Sequence, residues 1–413
     1  MKTDTFQSRN NLKNRMKILY VDPWCAKGSN LYYYSTGLVG AISNYADVVL
    51  VSANNFVVPS DQEGKYTINN LFFTHSNKMK RGILRKFIRG IEYIAAYKKI
   101  LKLSKTSHFD LIHIEWPLFY KIDIKYFKKL KKQCCALTIK AHNILPHSSD
   151  MKYAKYCEKI YSIADMVIVH GLNMKQEFAE YFPTLSNKVS IQMHGVYSNF
   201  KTNYALELIE RSIIEKVQKY KRIYLFCGRI DRDKGVDRIA KAWSDSLNGG
   251  ESLLIIAGKT ADGYSIEPMK KALGKFHNVI IYDDYVPDNL LNFFISKCSL
   301  IVLPYLKGSM SGLVFTAARF SKPLFSTKFG VIEEYILDGV NSFLVDNSYE
   351  AFYQEFCYID NCVSDSTLSV MGKNLAKYIE SNFNWDTIGK KLVNETYKKL
   401  LEQKRVVSLK RVG

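Results

Sequence analysis

The sequence lacks an apolar run long enough to cross a bilayer. No stretch approaches the roughly 18 to 20 consecutive apolar residues that a transmembrane helix needs. The first fifteen residues are polar and lead into a short apolar run that ends at Asp22, so a signal-peptide core is missing as well. We therefore expect a cytoplasmic protein.

Cysteines at metal-binding spacing are also missing. The chain has eight cysteines, which lie inside apolar runs or predicted helices, with no C-x-x-C pair and no zinc-like spacing. We interpret them as reduced, structural thiols. The sequence likewise shows no Asp-x-Asp constellation that demands a metal, so we expect no metal ion and no cofactor.

Acidic residues are scarce relative to basic ones. The chain has 59 Lys and Arg against 39 Asp and Glu, a formal net charge of +20. Self-repulsion of this size disfavours a compact state and implies an anionic partner, either nucleic acid or the inner membrane leaflet. No RNP, KH or zinc-finger signature is present, and no aromatic residues are arrayed on a basic strand, so we expect no nucleic acid partner.

What the sequence does contain is enough apolar material for two domains. It has 413 residues, of which 47% are hydrophobic and 24% charged. Short β-rich runs alternate with helical patterns, which is typical of parallel sheets covered on both faces. The predicted strands are Lys17–Val21, Val48–Ala53, Asp110–Glu115, Cys135–Lys140, Met166–His170 and Val189–Met193, then Ile223–Phe226, Leu253–Ala257, Val279–Ile281, Leu300–Leu303, Pro323–Ser326 and Ser342–Val345.

This rhythm predicts two doubly wound α/β domains. Ligands of such sheets bind at the carboxyl ends of the strands, so two facing domains would form a cleft between those ends. The polar stretch from Ser198 to Tyr204 separates the two series. We place the first domain at residues 1–198, the second at 199–378, and a terminal helix with a basic tail at 379–413.

A glycine-bounded turn in the second half carries two cations. After an apolar run, Arg229 and Lys234 stand five residues apart, between Gly228 and Gly235 and before a predicted helix. Gly228 permits close approach of backbone to a ligand, and a helix start attracts anions. Arg229 can fork to one phosphate while Lys234 supplies a point charge to the next. The pattern indicates a diphosphate site; by itself it also suits a solvated surface loop.

Much of the excess charge lies in the first half. Ten Lys or Arg occur from Lys78 to Lys105 against the single acid Glu92, on a predicted amphipathic helix. One interpretation packs the apolar stripe of this helix on the sheet; a compatible one turns its cations towards anionic lipid. The stripe comprises Ile83, Leu84, Phe87, Ile88, Ile91, Ile94 and Ala95, and the cations are Lys80, Arg81, Arg85, Lys86 and Arg89.

The order of short motifs resembles a known family. The second half contains Gly228-Arg229…Lys234-Gly235, Ile256-Ala257-Gly258, Tyr285-Val286-Pro287, Leu303-Pro304-Tyr305, Ser311-Gly312-Leu313-Val314 and Gly330…Glu334…Asp338-Gly339…Asn341. This half resembles the nucleotide-sugar half of retaining GT-B glycosyltransferases of family 4, also called glycosyltransferase group 1. The first half, with Lys27-Gly28-Ser29, His113 to Pro117, Ala141 to His147, Val169-His170 and His194 to Val196, is similar to the acceptor half. Asn384 to Tyr397 is similar to the helix that crosses back onto the first domain.

The resemblance implies a fold and roles for particular residues. The fold is GT-B, two Rossmann-like doubly wound parallel-sheet domains facing a central cleft. Arg229 and Lys234 neutralise the donor diphosphate as it leaves, without a metal ion. His142 lies near the donor sugar and the acceptor as a positioning and electrostatic group, whereas we interpret His147, His170 and His194 as structural. The donor contacts implied are Gly28, Gly228, Val286, Ser309, Met310, Ser311, Gly312, Leu313, Val314 and Glu334; a tight turn is the alternative for Gly28, and a helix cap for Glu334.

The sequence departs from the family at one place. Many members carry two glutamates separated by seven intervening residues around the Gly-Leu turn, and alignment on Gly312 puts Ser309 and Ala317 there. Hydroxyls of Ser309, Ser311 or Thr316, together with the backbone N–H groups of Met310 to Leu313, can hold the sugar instead. The identity of the donor stays open.

We therefore expect a metal-independent retaining hexosyltransferase. It would move a sugar from a nucleotide-sugar donor to a lipid-linked or growing surface-polysaccharide glycan, in the cytoplasm at the inner face of the membrane. A soluble acceptor is the alternative within the enzyme class. A non-catalytic sugar-nucleotide-binding or assembly subunit is the alternative outside it.

Overall fold

A computed structural model describes residues 15–27, 31–80, 82–146, 153–196, 202–246, 250–308 and 310–409. The chain forms two compact units. The first comprises residues 1–198 together with 383–413, and the second comprises residues 199–382. The C-terminal segment is thus part of the first unit, although it follows the second in sequence.

The first unit is built on a seven-stranded sheet in the order β3-β2-β1-β4-β5-β6-β7, in which every pair is parallel. Its strands are β1 (Lys17–Val21), β2 (Asp47–Ala53), β3 (Thr67–Phe72), β4 (Leu111–Ile114), β5 (Ala136–Lys140), β6 (Met166–Val169) and β7 (Val189–Ile191). Its helices before the second unit are α1 (Tyr32–Ser43), α2 (Ile83–Ser107), α3 (Tyr120–Lys131), α4 (Ala154–Ile163) and α5 (Leu172–Tyr181). Strands β1, β4 and β5 are almost wholly buried, as expected for central strands covered on both faces.

The second unit has a six-stranded parallel sheet in the order β10-β9-β8-β11-β12-β13. Its strands are β8 (Arg222–Cys227), β9 (Ser252–Ala257), β10 (Val279–Tyr282), β11 (Leu300–Leu303), β12 (Leu324–Thr327) and β13 (Phe343–Val345). Its helices are α6 (Arg211–Gln218), α7 (Val236–Ser246), α8 (Glu267–Leu273), α9 (Asp288–Lys297), α10 (Leu313–Arg319), α11 (Tyr349–Cys362) and α12 (Asp365–Asn382). The prediction of two doubly wound parallel α/β domains is confirmed.

The segment after the second unit packs on the first unit. It forms α13 (Trp385–Lys391), a π-helical stretch (Leu392–Tyr397) and α14 (Lys398–Leu409). Trp385 packs edge-on against Tyr34 of α1, with ring centroids 5.4 Å apart. Asp386 accepts hydrogen bonds from Asn44 Nδ2 at 2.9 Å and Tyr45 Oη at 2.8 Å. These contacts attach α13 to the α1 side of the first sheet.

All twelve predicted strands are present, and β3 is an additional one. It carries the pair Asn69-Asn70 at its centre and lies at the edge of the sheet, where it is only partly buried. An edge strand needs no continuous apolar sequence, because one side and part of each face remain in water. This explains why the apolar pattern did not indicate it.

Helix α2 differs from the interpretation in which its apolar stripe packs on the sheet. The buried residues of α2 are Tyr93, Ala96, Tyr97, Ile100 and Ser104. Four residues of the stripe are instead exposed, and that interpretation is wrong for Ile83, Leu84, Phe87 and Ile91. The physical reason is the helical period: the line through Tyr93 and Tyr97 continues back to Arg89 and Arg85, so these arginines face the domain.

Within the described residues, no helix is long and apolar enough to span a membrane. All eight cysteines are free thiols, and Cys135 and Cys362 are exposed.

Candidate active site

The turn after β8 depends on glycine for its geometry. Gly228 has φ +136° and Gly235 has φ +63°, both in the region that side chains rarely adopt. A Cβ on Gly235 would lie 1.9 Å from the carbonyl oxygen of Pro304, and one on Gly258 would lie 1.7 Å from that of Gly228. The backbone of this turn therefore packs directly on the ends of the neighbouring strands.

Asp231 holds the two predicted phosphate-binding cations of this turn. Its Oδ1 accepts a hydrogen bond from the backbone N–H of Lys234 at 2.9 Å, which caps the 3₁₀ turn Arg232–Lys234. Its Oδ2 accepts from Arg229 Nε at 2.6 Å and pairs with Nη2 at 2.5 Å. The Arg229 side chain remains 64% exposed, so its guanidinium group is accessible to a ligand.

Tyr305 connects Lys234 with the predicted sugar-binding turn. The Nζ atom of Lys234 lies 3.9 Å from the centroid of the Tyr305 ring, a cation–π contact. The Tyr305 hydroxyl lies 3.5 Å from Ser311 Oγ, and its ring packs on Phe329. Burial lowers the pKa of Lys234, while Asp231 and Asp233 oppose this shift. Tyr305 has no role in the sequence-based prediction; the signal for one is its position just after the buried strand β11.

The other predicted donor residues lie on loops at the same edge of the second sheet. Gly312 precedes α10, which begins at Leu313; Met310 and the buried Ser311 lie just before it, and Val314 is buried in its first turn. Val286 is half-buried between β10 and α9, and Glu334 ends the 3₁₀ turn Ile332–Glu334 after β12. The loops follow the carboxyl ends of parallel strands, where ligands of such sheets bind. Gly28 and Ser309 lie outside the described residues.

In the first unit, Glu115 forms the centre of a buried polar cluster. Its Oε1 accepts a hydrogen bond from His142 Nε2 at 2.5 Å, and its Oε2 accepts from His113 Nε2 at 2.8 Å and from the Tyr20 hydroxyl. Burial by itself raises the pKa of Glu115, but the two histidines outweigh it and hold that pKa well below its usual range. Glu115 is therefore an anion in this cluster.

These contacts fix the orientation of His142. Its Nε2 donates to the Glu115 carboxylate, so in the neutral ring Nδ1 accepts from His170 Nε2 at 2.9 Å. Trp116 stacks on the ring, with centroids 3.9 Å apart and planes 3° from parallel. Burial lowers the pKa of His142 against the opposing effect of Glu115. Both ring nitrogens are engaged, which suits an orienting group better than a proton acceptor.

Two further polar residues near this cluster, Lys140 and Asp22, were not predicted as site residues. Lys140 is buried and donates to Gln192 Oε1 at 2.8 Å, and burial lowers its pKa to about 7. Asp22 is buried and accepts hydrogen bonds from Ser35 and from the N–H groups of Trp24 and Cys25. Their signal in the sequence was a charged residue closing an apolar strand, as it was for Glu115.

A cavity of about 270 Å³ lies beside His142 in the first unit. Its walls are mostly aromatic and aliphatic, with Lys140, His142 and Asn143 as polar members. Among the residues that the structure describes, the buried Nε1 of Trp116, another wall residue, has no hydrogen-bond partner. The remaining walls are Trp24, Pro117, Leu118, Tyr120, Ala141, Ile144, Pro146, Cys157, Ile160 and Tyr161.

The other histidines take different positions. His170 and His194 are buried, and both flank Tyr34, with centroids at 5.6 and 4.7 Å. His194 Nδ1 donates a hydrogen bond to the carbonyl oxygen of Gly195 at 2.7 Å. His147 lies outside the described residues.

The predicted basic residues on and before α2 do not all face solvent. Lys80 and Lys86 are exposed. Arg85 donates to the carbonyl oxygen of Ser76, and the Arg89 guanidinium stacks 3.7 Å from the centroid of Phe73. These two arginines therefore contact the domain itself, and Arg81 lies outside the described residues.

Comparison with known proteins relates the second unit to a family. Residues 221–359, which include the cationic turn, Tyr305 and the Ser311–Val314 segment, match the family model described as Glycosyl transferases group 1. The similarity to this family lies in the second unit. The match begins just before β8 and ends in α11, so it covers all six strands of the second sheet and the loops at its carboxyl edge.

Two curated relatives of this chain come from Methanocaldococcus jannaschii, and both are described as uncharacterized glycosyltransferases. The first is 25% identical over 242 residues, 57% of this chain and 60% of the relative. The second is 23% identical over 314 residues, 73% of this chain and 79% of the relative. The matched part thus spans less than two thirds of the first relative.

Solved structures share the fold of this chain. Sucrose-phosphate synthase of Thermosynechococcus elongatus superimposes with a TM-score of 0.68 at 15% identity, covering 94% of this chain and 100% of that one. Anabaena HepE, solved in complex with UDP and glucose, gives a TM-score of 0.63 at 14% identity, covering 92% and 99%. The predicted GT-B fold is confirmed.

Proposed function

We propose that this protein transfers a hexosyl group from a nucleotide-sugar donor to a lipid-linked or growing surface-polysaccharide glycan, with retention of anomeric configuration. The observation that carries the proposal is the turn after β8. It presents Arg229, 64% exposed, and Lys234 at the carboxyl edge of a parallel sheet, in the part of the chain that matches the family.

The two cations stabilise the leaving group. As the bond from sugar C1 to the phosphate oxygen breaks, negative charge grows on the diphosphate, and fixed cations lower the barrier most at that point. Asp231 and Tyr305 orient Arg229 and Lys234 before the donor arrives, so little reorganisation is needed. In this proposal the two side chains supply the positive charge that a metal ion supplies elsewhere.

The acceptor hydroxyl attacks C1 from the face that the diphosphate leaves. Its oxygen forms the new bond to C1, and its proton passes to the phosphate oxygen that is released, so no protein base is required. His142, with both ring nitrogens engaged, orients the acceptor side of the reaction without taking this proton. Met310 to Val314 and Glu334 are proposed to contact the donor.

Two observations support a nucleoside diphosphate donor and an acceptor with an apolar part. The solved neighbours include complexes with UDP and with UDP-glucose, which makes UDP-sugars the first donors to test. The cavity beside His142 has mostly aromatic and aliphatic walls, with Lys140 as a polar member, which suits an acceptor carrying both hydroxyl and apolar groups.

The test is nucleoside diphosphate release from a panel of nucleotide sugars, with lipid-linked and soluble acceptors in parallel. Replacing Arg229 or Lys234 by alanine should each lower kcat by roughly 10²- to 10³-fold, the usual cost of removing one preorganised group that stabilises developing charge. Arg232→Ala is the matched control, because Arg232 is an exposed cation of the same turn, and it should retain activity.

If the wild-type protein releases nucleoside diphosphate with soluble but not with lipid-linked acceptors, the proposal of a lipid-linked acceptor is contradicted and a soluble acceptor takes its place. No release with any donor and acceptor pair would contradict the enzyme proposal. Tight donor binding without release would favour the non-catalytic subunit, for which the buried Ala317, in place of a family glutamate, is the supporting observation.

A further inference from the structure

We propose that helix α2 inserts its exposed apolar side chains into an anionic lipid bilayer. The inserting residues are Ile83, Leu84, Phe87 and Ile91, and the lysines further along the same face, Lys98, Lys102 and Lys105, bind the headgroups. We call these seven residues the outer face of α2. The inference deepens the proposed function, since it rests on a lipid-borne acceptor for its purpose, but the binding itself is measured without catalysis.

The exposure of the apolar residues is the primary observation. Ile83 is 88% exposed, Leu84 64%, Phe87 66% and Ile91 52%. Single exposed apolar residues are ordinary, but four within nine residues on consecutive turns of one helix form a continuous patch. Such a patch in water costs free energy unless a partner covers it.

The helical period places the apolar patch and the lysines on one side. Leu84, Ile91, Lys98 and Lys105 are seven residues apart, and seven residues make nearly two turns, with a drift of only about 20° per step. The outer face therefore changes from apolar to basic along the length of α2.

The opposite side of α2 is the one that packs on the domain. Tyr93, Tyr97, Ile100 and Ser104 are buried, and their line is continued towards the N-terminus by Arg89. The outer apolar residues are thus surplus to the core of the first unit. A helix that folds on one apolar face and leaves a second one beside lysines fits an interfacial helix lying on a membrane.

Charge and area favour lipid over a protein partner. The outer lysines repel the same face of a second copy, whereas anionic headgroups neutralise them, and the chain carries a net charge of +20. Four side chains provide a patch of a few hundred Å², well below the roughly 800 Å² per partner of a standard protein interface. The same area is sufficient for shallow insertion among headgroups, where lysines add to the affinity.

The experiment is co-sedimentation of the full chain with vesicles, either zwitterionic or containing about a third anionic lipid. The wild-type protein should bind the anionic vesicles. The double variant Leu84→Ser/Phe87→Ser should bind at least roughly tenfold more weakly, since transferred apolar area drives insertion. The matched control is Leu208→Ser/Val370→Ser, which removes side chains of comparable exposure, 74% and 56%, from the second unit and should bind like the wild type.

A second pair of variants tests the lysines. Lys98→Gln/Lys102→Gln should weaken binding to anionic vesicles by roughly tenfold or more, while Lys373→Gln/Lys377→Gln removes the same charge from exposed positions on α12 and should change it little. Raising the salt concentration should weaken the electrostatic part of the wild-type affinity for vesicles. The binding that remains at high salt should be absent from Leu84→Ser/Phe87→Ser.

Equal vesicle binding by the outer-face variants and their controls would overturn the inference, as would wild-type protein that ignores anionic vesicles. A concentration-dependent dimer that Leu84→Ser/Phe87→Ser abolishes, without vesicle binding, would assign the patch to a second copy and overturn it as well. Donor binding, read as a thermal shift, is measured on the same samples. Wild-type protein that binds no donor would contradict the proposed function. Vesicle binding would still decide the inference about α2.

Discussion

Glu115 and Asp22 are both buried carboxyl groups at strand ends, yet their surroundings shift their pKa values in opposite directions. Two histidines donate hydrogen bonds to Glu115 and hold its pKa well below its usual range. Burial, together with the negative charge of Glu115, raises the pKa of Asp22 to about 7. The negative charge of Glu115, which the histidines stabilise, thus makes ionisation of Asp22 less favourable. A local sequence pattern carries no information about this coupling.

Asp22→Asn should remove a pH dependence of stability. Because the folded-state pKa is raised from 3.8 to about 7, the contribution of Asp22 is fully present below pH 4 and is lost as the pH rises through 7. The loss amounts to roughly 4 kcal/mol in all, at up to about 1.4 kcal/mol per pH unit. Denaturant unfolding of both proteins between pH 4 and 7 measures it.

The asparagine can keep the hydrogen bonds from the N–H groups of Trp24 and Cys25, so the fold should persist. Lys140, whose pKa is lowered from 10.5 to about 7, changes the pH dependence of stability only between about pH 7 and 10.5, above the range in which Asp22 acts. A difference between the two proteins that stays constant from pH 4 to 7 would contradict this account of Asp22.

At the scale of elements, α13 is attached to the first sheet through close contacts at glycines. A Cβ on Gly37 of α1 would lie 2.3 Å from Trp385 Nε1, and a Cβ on Gly195 would lie 2.4 Å from Trp385 Cδ2. A Cβ on Gly389 of α13 would lie 2.7 Å from Ala41. The absence of side chains at three positions, far apart in sequence, lets the segment after the second unit pack on the first.

Gly37→Ala should therefore destabilise the first unit. The added methyl group overlaps the Trp385 ring, and overpacking of this kind costs about 1 to 3 kcal/mol. Gly90→Ala in α2 is the matched control, because it is also a helical glycine but its Cβ would meet nothing within 4 Å. That control should gain about 0.5 to 1 kcal/mol from helix propensity. Equal effects of the two changes on thermal unfolding would show that Trp385 does not constrain α1.

At the scale of the whole molecule, the chain divides into two units, of which only the second is a single continuous segment. The second unit is one continuous segment, residues 199–382, whereas the first is completed by residues from 383 onwards. The proposed phosphate-binding turn belongs wholly to the continuous unit, and the histidine cluster belongs wholly to the other. A ligand of one unit should therefore act first on the stability of that unit.

Nucleoside diphosphate should raise the unfolding temperature of the second unit selectively. At a concentration of 100 Kd, binding stabilises the folded form by about 2.7 kcal/mol. Calorimetry should show the higher unfolding temperature, and hydrogen exchange should show protection in β8, α7 and the loop before α10. The double variant Arg229→Ala/Lys234→Ala should abolish both effects. Protection confined to the first unit would contradict the assignment of the diphosphate to the β8 turn.

The sequence by itself determined the fold and one part of the candidate site. Apolar runs at regular spacing predicted twelve of the thirteen described strands, because buried parallel strands require such runs, and the motif order indicated Arg229, Lys234 and His142 through family resemblance. It did not indicate β3, whose edge position tolerates the polar pair Asn69-Asn70.

Tertiary structure alone decided which polar residues meet and which apolar ones stay outside. Glu115, His142 and His170 end or follow three different strands, so their contact depends on strand order rather than on spacing. Tyr305 joins Lys234 to Ser311 across two loops for the same reason. The apolar stripe of α2 was visible in the sequence, but its exposure was not, because a helical period defines faces without saying which face the domain covers.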